Sequence, residues 1–176
     1  MNKGLLMKIF ELLTYHSSTE YILKLRSTIP DKRGFIKLLL LYRYHRIMEK
    51  NGSSIPLSAE ISRNPSFPHG IKGVFISSGA IIGSGCTIFQ QVTIGSNTLQ
   101  DSKHYGAPHV GNNVYIGAGA KIVGGVVIGN NVRIGANCVV VDDVPDNSTV
   151  VLQKARVISD FSSERNNNYV KFENKD

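Results

Sequence analysis

Three histidines, His69, His104 and His109, stand in the middle third of a 176-residue chain, and theirs are the side chains best suited to chemistry. A neutral imidazole can take the proton of an alcohol while that oxygen attacks an electrophile, and a positioned base of this kind contributes about 10²–10⁴-fold. Three imidazoles converging on one point could instead hold a zinc ion. His16 and His45 lie in a basic, apolar N-terminal segment and are assigned no chemistry. Lys154 and Arg156 stand close together near the C-terminus, where they could meet phosphate groups. Cys86 and Cys138 are 52 residues apart and read as buried free thiols, which fits a reducing cytoplasm.

What positions these groups is a repeat. Isoleucine or valine recurs every six residues at Ile76, Ile82, Ile88 and Ile94, and again at Val110, Ile116, Ile122, Ile128, Ile134 and Val140. Two residues earlier stands a small or β-branched residue, as at Val74, Ala80, Cys86, Val92, Val114, Ala120, Val126, Val132 and Cys138, with Pro108 in the same place. A six-residue period predicts a solenoid of short strands and turns, three hexapeptides to each triangular coil. An α-helix cannot hold it, because the apolar positions would drift around the helix. Both small and aliphatic positions should point inward, two residues apart as a strand requires. Glycine follows most beats, at Gly83, Gly95, Gly111, Gly117, Gly129 and Gly135. These glycines are expected to turn the corners at positive φ, with Asn112, Asn113, Asn130, Asn131 and Asn137 sharing that task.

The register extends upstream through Ile55, Ile61 and Phe67, and it breaks twice. Phe67 to Ile76 is nine residues, so three extra residues bulge around His69; Ile94 to Val110 is sixteen, so a loop at residues 97–106 leaves the prism. Insertions in solenoids gather on the binding face. Counting beats onto three faces puts Phe67, Ile88, Ile116 and Ile134 on one of them. The residues two places on, His69, Gln90, Ala118 and Ala136, should then stack along one outer edge. Ala118 and Ala136, beside Gly117 and Gly135, leave a shallow trough where an extended, amide-bearing chain such as a pantetheine arm could lie. Its thioester end would reach toward His69, about 10 Å away at two strand spacings. The loop emerges one corner away from His69, so in a closed trimer it could cover the histidine edge of a neighbour.

Three segments are expected. Residues 1–52 form a short α-helical extension, 53–158 the β-helix domain, and 159–176 a polar tail. The net charge of +7 is concentrated in the extension, where ten Lys and Arg face four acids in residues 1–50. With apolar residues such as Leu5, Leu6, Phe35, Ile36 and Leu38 to Leu41, the extension reads as a cap on the first coil that packs against partner subunits. Peripheral contact with an anionic membrane surface is the alternative. Nucleic acid is disfavoured, since no aromatic platform accompanies the charge. No apolar run reaches the length of a membrane span, and no signal-peptide pattern opens the chain, so a cytoplasmic protein is expected.

Residues from about Ile55 to Ile158 resemble the catalytic domain of the serine acetyltransferase family of hexapeptide-repeat acyltransferases. The stretches that carry the likeness are QQVTIGS from Gln90, NVYIGAGAKIVGGVVIGNNVRIGANCVVVDDVP from Asn113, and the closing KARVI. The resemblance implies a left-handed parallel β-helix, a homotrimer with active sites at subunit interfaces, and acetyl-CoA as donor to a hydroxyl by direct attack. It assigns His69 as the base that deprotonates the acceptor and matches Ala118 and Ala136 to positions lining the acetyl-CoA groove, where Gly117 and Gly135 stand beside them; Lys154 and Arg156 could meet the CoA phosphates or remain solvated charges. The departures also matter. Serine-specific members place an aspartate where Pro68 stands and another aligned with Ser54; their second active-site histidine aligns with Ala107 and the preceding arginine with Gly106. His104, in a loop two residues longer, is a candidate replacement. A Gly-x-Pro near the end of the repeat reads Leu152-Gln153-Lys154. The expectation is therefore an O-acetyltransferase acting on a sugar hydroxyl of a surface polysaccharide or its precursor, with L-serine as the rival acceptor. A carbonic anhydrase-like zinc site on His69, His104 and His109, or a non-catalytic scaffold, is the reading from another class. The extruded loop spoils the first of these, so no metal is expected.

Overall fold

The computed structural model describes residues 18–62 and 64–156. The polar tail expected from residue 159 and the apolar residues before Ser18 lie outside them. Helix α1 (Thr19–Thr28) starts where the Ser18 hydroxyl accepts from the Tyr21 amide at 3.3 Å, satisfying one of the free N–H groups of the first turn. It stops before Pro30, and α2 (Gly34–Lys50) follows.

Among the described residues, twelve short strands then wind a left-handed parallel β-helix of three faces. One face carries β2 (Phe75–Ile76), β5 (Thr93–Gly95), β8 (Lys121–Val123) and β11 (Val139–Val140). The second carries β1 (Glu60–Ile61), β3 (Ile81–Ile82), β6 (His109–Val110) and β9 (Val127–Ile128). The third carries β4 (Thr87–Ile88), β7 (Tyr115–Ile116), β10 (Arg133–Ile134) and β12 (Thr149–Val150). We call them faces A, B and C. Every ladder is parallel and pairs beat with beat, for example Ile88 with Ile116 and Ile116 with Ile134. The inward set is as the repeat requires: the small residues from Val74 to Cys138 and the beats between Ile82 and Ile134 are almost wholly buried in one continuous core. Bridges from Ser54 to Phe75 and from Ser66 to Thr87 carry the register back below the first complete coil.

The reason for glycine after the beat differs from the expectation. Positive φ falls three residues after the beat, at Gly85, Gln91, Asn113, Gly119, Asn131 and Asn137. Four of the glycines directly after the beats, Gly83, Gly111, Gly117 and Gly129, are held by crowding instead. A Cβ on Gly117 would sit 2.6 Å from the Ala136 nitrogen, and one on Gly111 would sit 2.8 Å from the Gly129 carbonyl carbon. Stacked corners bring backbone against backbone with no room for a methyl. Of the five turn asparagines, Asn113, Asn131 and Asn137 take the left-handed conformation. Asn112 and Asn130 do something else: their side chains accept from the backbone N–H groups of Ser84 and Asn112 in the coil below, at 2.8 and 2.9 Å. Asp146 continues that ladder by accepting from the Asn130 amide at 2.7 Å.

The solenoid also runs beyond Val140. Val144 bridges to Ile128 and β12 pairs with β10, although the step from Val140 to Val144 is only four residues. The shortened corner closes because the Asp143 carboxylate accepts from the Val127 amide at 2.8 Å, standing in for a strand partner.

The two helices seal the first coil. The Arg26 guanidinium donates to the carbonyls of Pro56, Leu57 and Ala59, and the Tyr44 hydroxyl donates to the Ile55 carbonyl at 2.6 Å. Ile22, Leu25, Ile29, Leu40 and Ile47 join the solenoid core. Phe35, Ile36, Leu38 and Tyr42 of α2 stay exposed. Among the described residues no helix is long and apolar enough to cross a membrane.

Candidate active site

The bulge between Phe67 and β2 leaves the prism at the corner joining face C to face A, with Gly70 at φ +72° and Gly73 at φ +66° turning the chain. The same corner recurs in each later coil, and its turns are tied to one another. Gln90 accepts on its carbonyl from Gly119 N–H at 3.0 Å, and Ala118 accepts from Asn137 N–H at 2.9 Å. His69 joins the bottom of this column through its side chain, since Nδ1 lies 2.8 Å from the Gln90 Oε1. His69, Gln90, Ala118 and Ala136 thus form one outer edge. The His69 ring also stands edge-on to Phe89, centroids 5.4 Å apart and planes at 87°, and Phe89 leans on Tyr115 at 5.1 Å. These contacts fix the plane of an otherwise exposed imidazole.

Above the histidine the edge is bare backbone. Gly117 admits no side chain between stacked turns, a Cβ on Gly135 would press on the Val150 carbonyl at 3.2 Å, and Ala118 and Ala136 project only methyl groups. Among the described residues the N–H groups of Ala118 and Ala136 take part in no hydrogen bond. Two free donors on a smooth ridge suit an extended ligand with amide carbonyls.

Beside His69 opens a cavity of about 480 Å³ lined by Ser18, Thr19, Asn51, Phe67, Pro68, Gly70 and Lys72. Sequence reasoning did not find it, because its walls come from the N-terminal end of α1 and the C-cap of α2, far from the repeat. Its polar groups are hydroxyls, an amide and one ammonium. Of the described lining residues none carries a carboxylate.

The other candidates lie elsewhere in the chain. The loop is pinched at its base by paired hydrogen bonds between Asn97 and Gly106, at 2.8 and 2.9 Å, and folds back on the corner between faces A and B. There the His104 carbonyl accepts from Gly125 N–H at 2.8 Å, and its Nε2 lies 3.2 Å from the Asp142 carboxylate. Within one chain His104 and His69 occupy different corners. His109 faces outward on face B between Ile81 and Val127. Among the described residues no three metal-ligating side chains are grouped to hold an ion. Lys154 and Arg156 are exposed beyond β12.

Residues 107–142 match the family described as bacterial transferase hexapeptide (six repeats). The putative colanic acid biosynthesis acetyltransferase WcaB of Escherichia coli is 42% identical over 121 residues, covering 68% of this chain and 71% of that protein. The serine acetyltransferase of Synechococcus elongatus is 37% identical over 107 residues, 61% of this chain and 43% of that one. Among solved structures, a serine acetyltransferase in complex with CoA superposes with a TM-score of 0.54 at 34% identity, covering 65% of this chain and 45% of its own. The chain thus spans less than half the length of these serine acetyltransferases.

Proposed function

The chain belongs to the hexapeptide-repeat acetyltransferases, and on that premise we propose that it transfers acetyl from acetyl-CoA to a sugar hydroxyl of a surface polysaccharide or its precursor. His69 is the general base. The acceptor O–H gives its proton to Nε2 as the oxygen bonds to the thioester carbonyl carbon. The tetrahedral intermediate then expels the sulfur, which recovers the proton from Nε2–H and leaves as CoA thiol. The pantetheine arm lies along the Ala118–Ala136 edge, and Lys154 and Arg156 lie toward the phosphates. The sites form at the interfaces of a homotrimer, where the 97–106 loop of a neighbour, carrying His104, covers the edge. The exposed apolar side of α2, flanked by Lys32, Arg33 and Lys37, supports peripheral contact with an anionic membrane surface in the cytoplasm.

One observation carries the choice of acceptor: the cavity beside His69 has hydroxyl, amide and ammonium groups and no carboxylate among its described residues. L-Serine arrives with an ammonium that needs an anionic partner once it leaves water, and this lining supplies none. A polyhydroxylated acceptor finds matching donors and acceptors. Pro68 and Ser54, standing where serine-specific relatives carry aspartates, agree with that reading.

Purified protein with acetyl-CoA should release thiol with oligosaccharide acceptors and turn over poorly with L-serine. The His69→Ala variant should be slower by about 10²–10⁴-fold. Robust serine turnover would refute the sugar acceptor, and full activity in His69→Ala would remove the base.

A further inference from the structure

We propose that Gln90 is the positioning residue of His69, its amide oxygen holding Nδ1–H so that Nε2 is the free base. This rests on the acetyl-transfer reading above. A ring nitrogen keeps its proton where a hydrogen bond rewards it, so an acceptor on one nitrogen leaves the other as base. Gln90 Oε1 lies 2.8 Å from His69 Nδ1. Gln90 is fixed in turn, since its own carbonyl accepts from Gly119 N–H at 3.0 Å in the coil above. Phe89, its neighbour on the same turn, meets the ring edge-on and sets its plane. One corner therefore supplies both the acceptor and the wall.

The acceptor is a neutral amide. Neither Pro68 nor Ser54 brings a carboxylate to the ring, and Ser54 is committed by its backbone to the ladder with Phe75. Among the described lining residues of the same cavity, the charged side chain is Lys72. A carboxylate at position 90 would favour the protonated ring, whereas the amide orients it with no such cost to the free base. Gln90 is thus an orienting group that brings no charge to the imidazole.

The test uses the full chain labelled with ¹⁵N-histidine and reads the His69 tautomer by long-range ¹H–¹⁵N correlation without substrate. Wild type should show protonated Nδ1. Q90A should pass to the Nε2-protonated form, with kcat reduced about tenfold, the KM for acetyl-CoA unchanged and the melting temperature retained. Q90E should keep protonated Nδ1 and move the acid limb of kcat/KM upward by about one pH unit. Protonated Nε2 in wild type, or an unchanged tautomer and kcat in Q90A, overturns the assignment. If the tautomers behave as stated and no hydroxyl is acetylated, the Gln90–His69 pairing stands and the acetyl-transfer reading falls.

Discussion

Two glycines that look alike in the repeat should respond oppositely to one added methyl. Gly95 and Gly111 each directly follow a beat, and neither has positive φ. A Cβ on Gly95 would touch only Thr93 Cγ2 at 3.5 Å, an ordinary contact. A Cβ on Gly111 would lie 2.8 Å from the Gly129 carbonyl carbon and oxygen and 3.0 Å from the Asn130 nitrogen. Ordinary contact begins at 3.4 Å, so the coil above must yield by about 0.6 Å, the difference between 3.4 and 2.8 Å. That coil is tied down by the Gly111 N–H bond to the Ile128 carbonyl at 2.8 Å and the Asn112 bond to Asn130 Oδ1 at 2.9 Å. Overpacking of this kind costs about 1–3 kcal/mol. Replacing glycine where the backbone allows it contributes about 0.4–1 kcal/mol through the unfolded chain. Gly95→Ala should therefore stabilise by about 0.4–1 kcal/mol and Gly111→Ala destabilise by about 1–2 kcal/mol. At 2–4 °C per kcal/mol, their melting temperatures should differ by roughly 3–12 °C. Calorimetry at fixed protomer concentration measures both, and Gly111→Asn separates the causes. Asparagine relieves a left-handed backbone but not a steric clash, so it should do no better than alanine. If the two alanine variants fall equally, or Gly111→Asn behaves as wild type, the crowding argument is wrong.

Cys86 is buried and donates to the Gly111 carbonyl at 3.2 Å, and burial pushes its thiol up, outweighing the backbone hydrogen bond at Val114 that lowers it. Native protein should therefore leave a disulfide reagent such as DTNB nearly unreacted at pH 8, with Cys86 and Cys138 both labelled only on unfolding; prompt native labelling would contradict the core packing. Burial also raises Tyr44, against the opposing pull of the Arg26 guanidinium. An acid whose folded value is raised keeps its contribution below the unfolded value near 10 and loses it as pH rises through the folded one. Urea stability should thus decline above about pH 10, and Tyr44→Phe should flatten that decline while costing about 1–3 kcal/mol at pH 7 for the bond lost at Ile55. An equally steep decline in Tyr44→Phe would clear the tyrosine.

The prism was legible because a period of six is a physical constraint repeated at every coil. Beats from Ile76 to Val140 all face inward, and the column of His69, Gln90, Ala118 and Ala136 follows from counting alone. What escaped was what counting does not encode. The four-residue corner before Val144 breaks the period and is closed by one side chain, Asp143, whose role depends on Val127 in the coil below. The glycine pattern was visible but its cause was not, since crowding is a relation between turns distant in sequence. Gln90 stood in the column without a role because its contact with His69 is a matter of side-chain direction. Asp142 met His104 for the same reason. The cavity walls at Ser18, Thr19 and Asn51 have no periodic signature at all.

That division has a physical consequence for the chemistry. In a solenoid each coil touches only its neighbours, so stability is nearly a sum of local terms. The Ala118–Ala136 edge is built into those terms: a methyl on Gly117 would strike the Ala136 nitrogen at 2.6 Å, so any change there disturbs the edge and the stacking together. The cavity beside His69 is built outside them, from the bulge and the ends of two helices. On the proposed function, substitutions of the Ser18, Thr19, Asn51 and Lys72 side chains would change acceptor recognition while the coils above stay fixed. His69 sits where edge and cavity meet because the bulge that carries it is where the repeat first gives way, and the Gln91 N–H bond to the Lys72 carbonyl at 2.9 Å ties that bulge to the coil above.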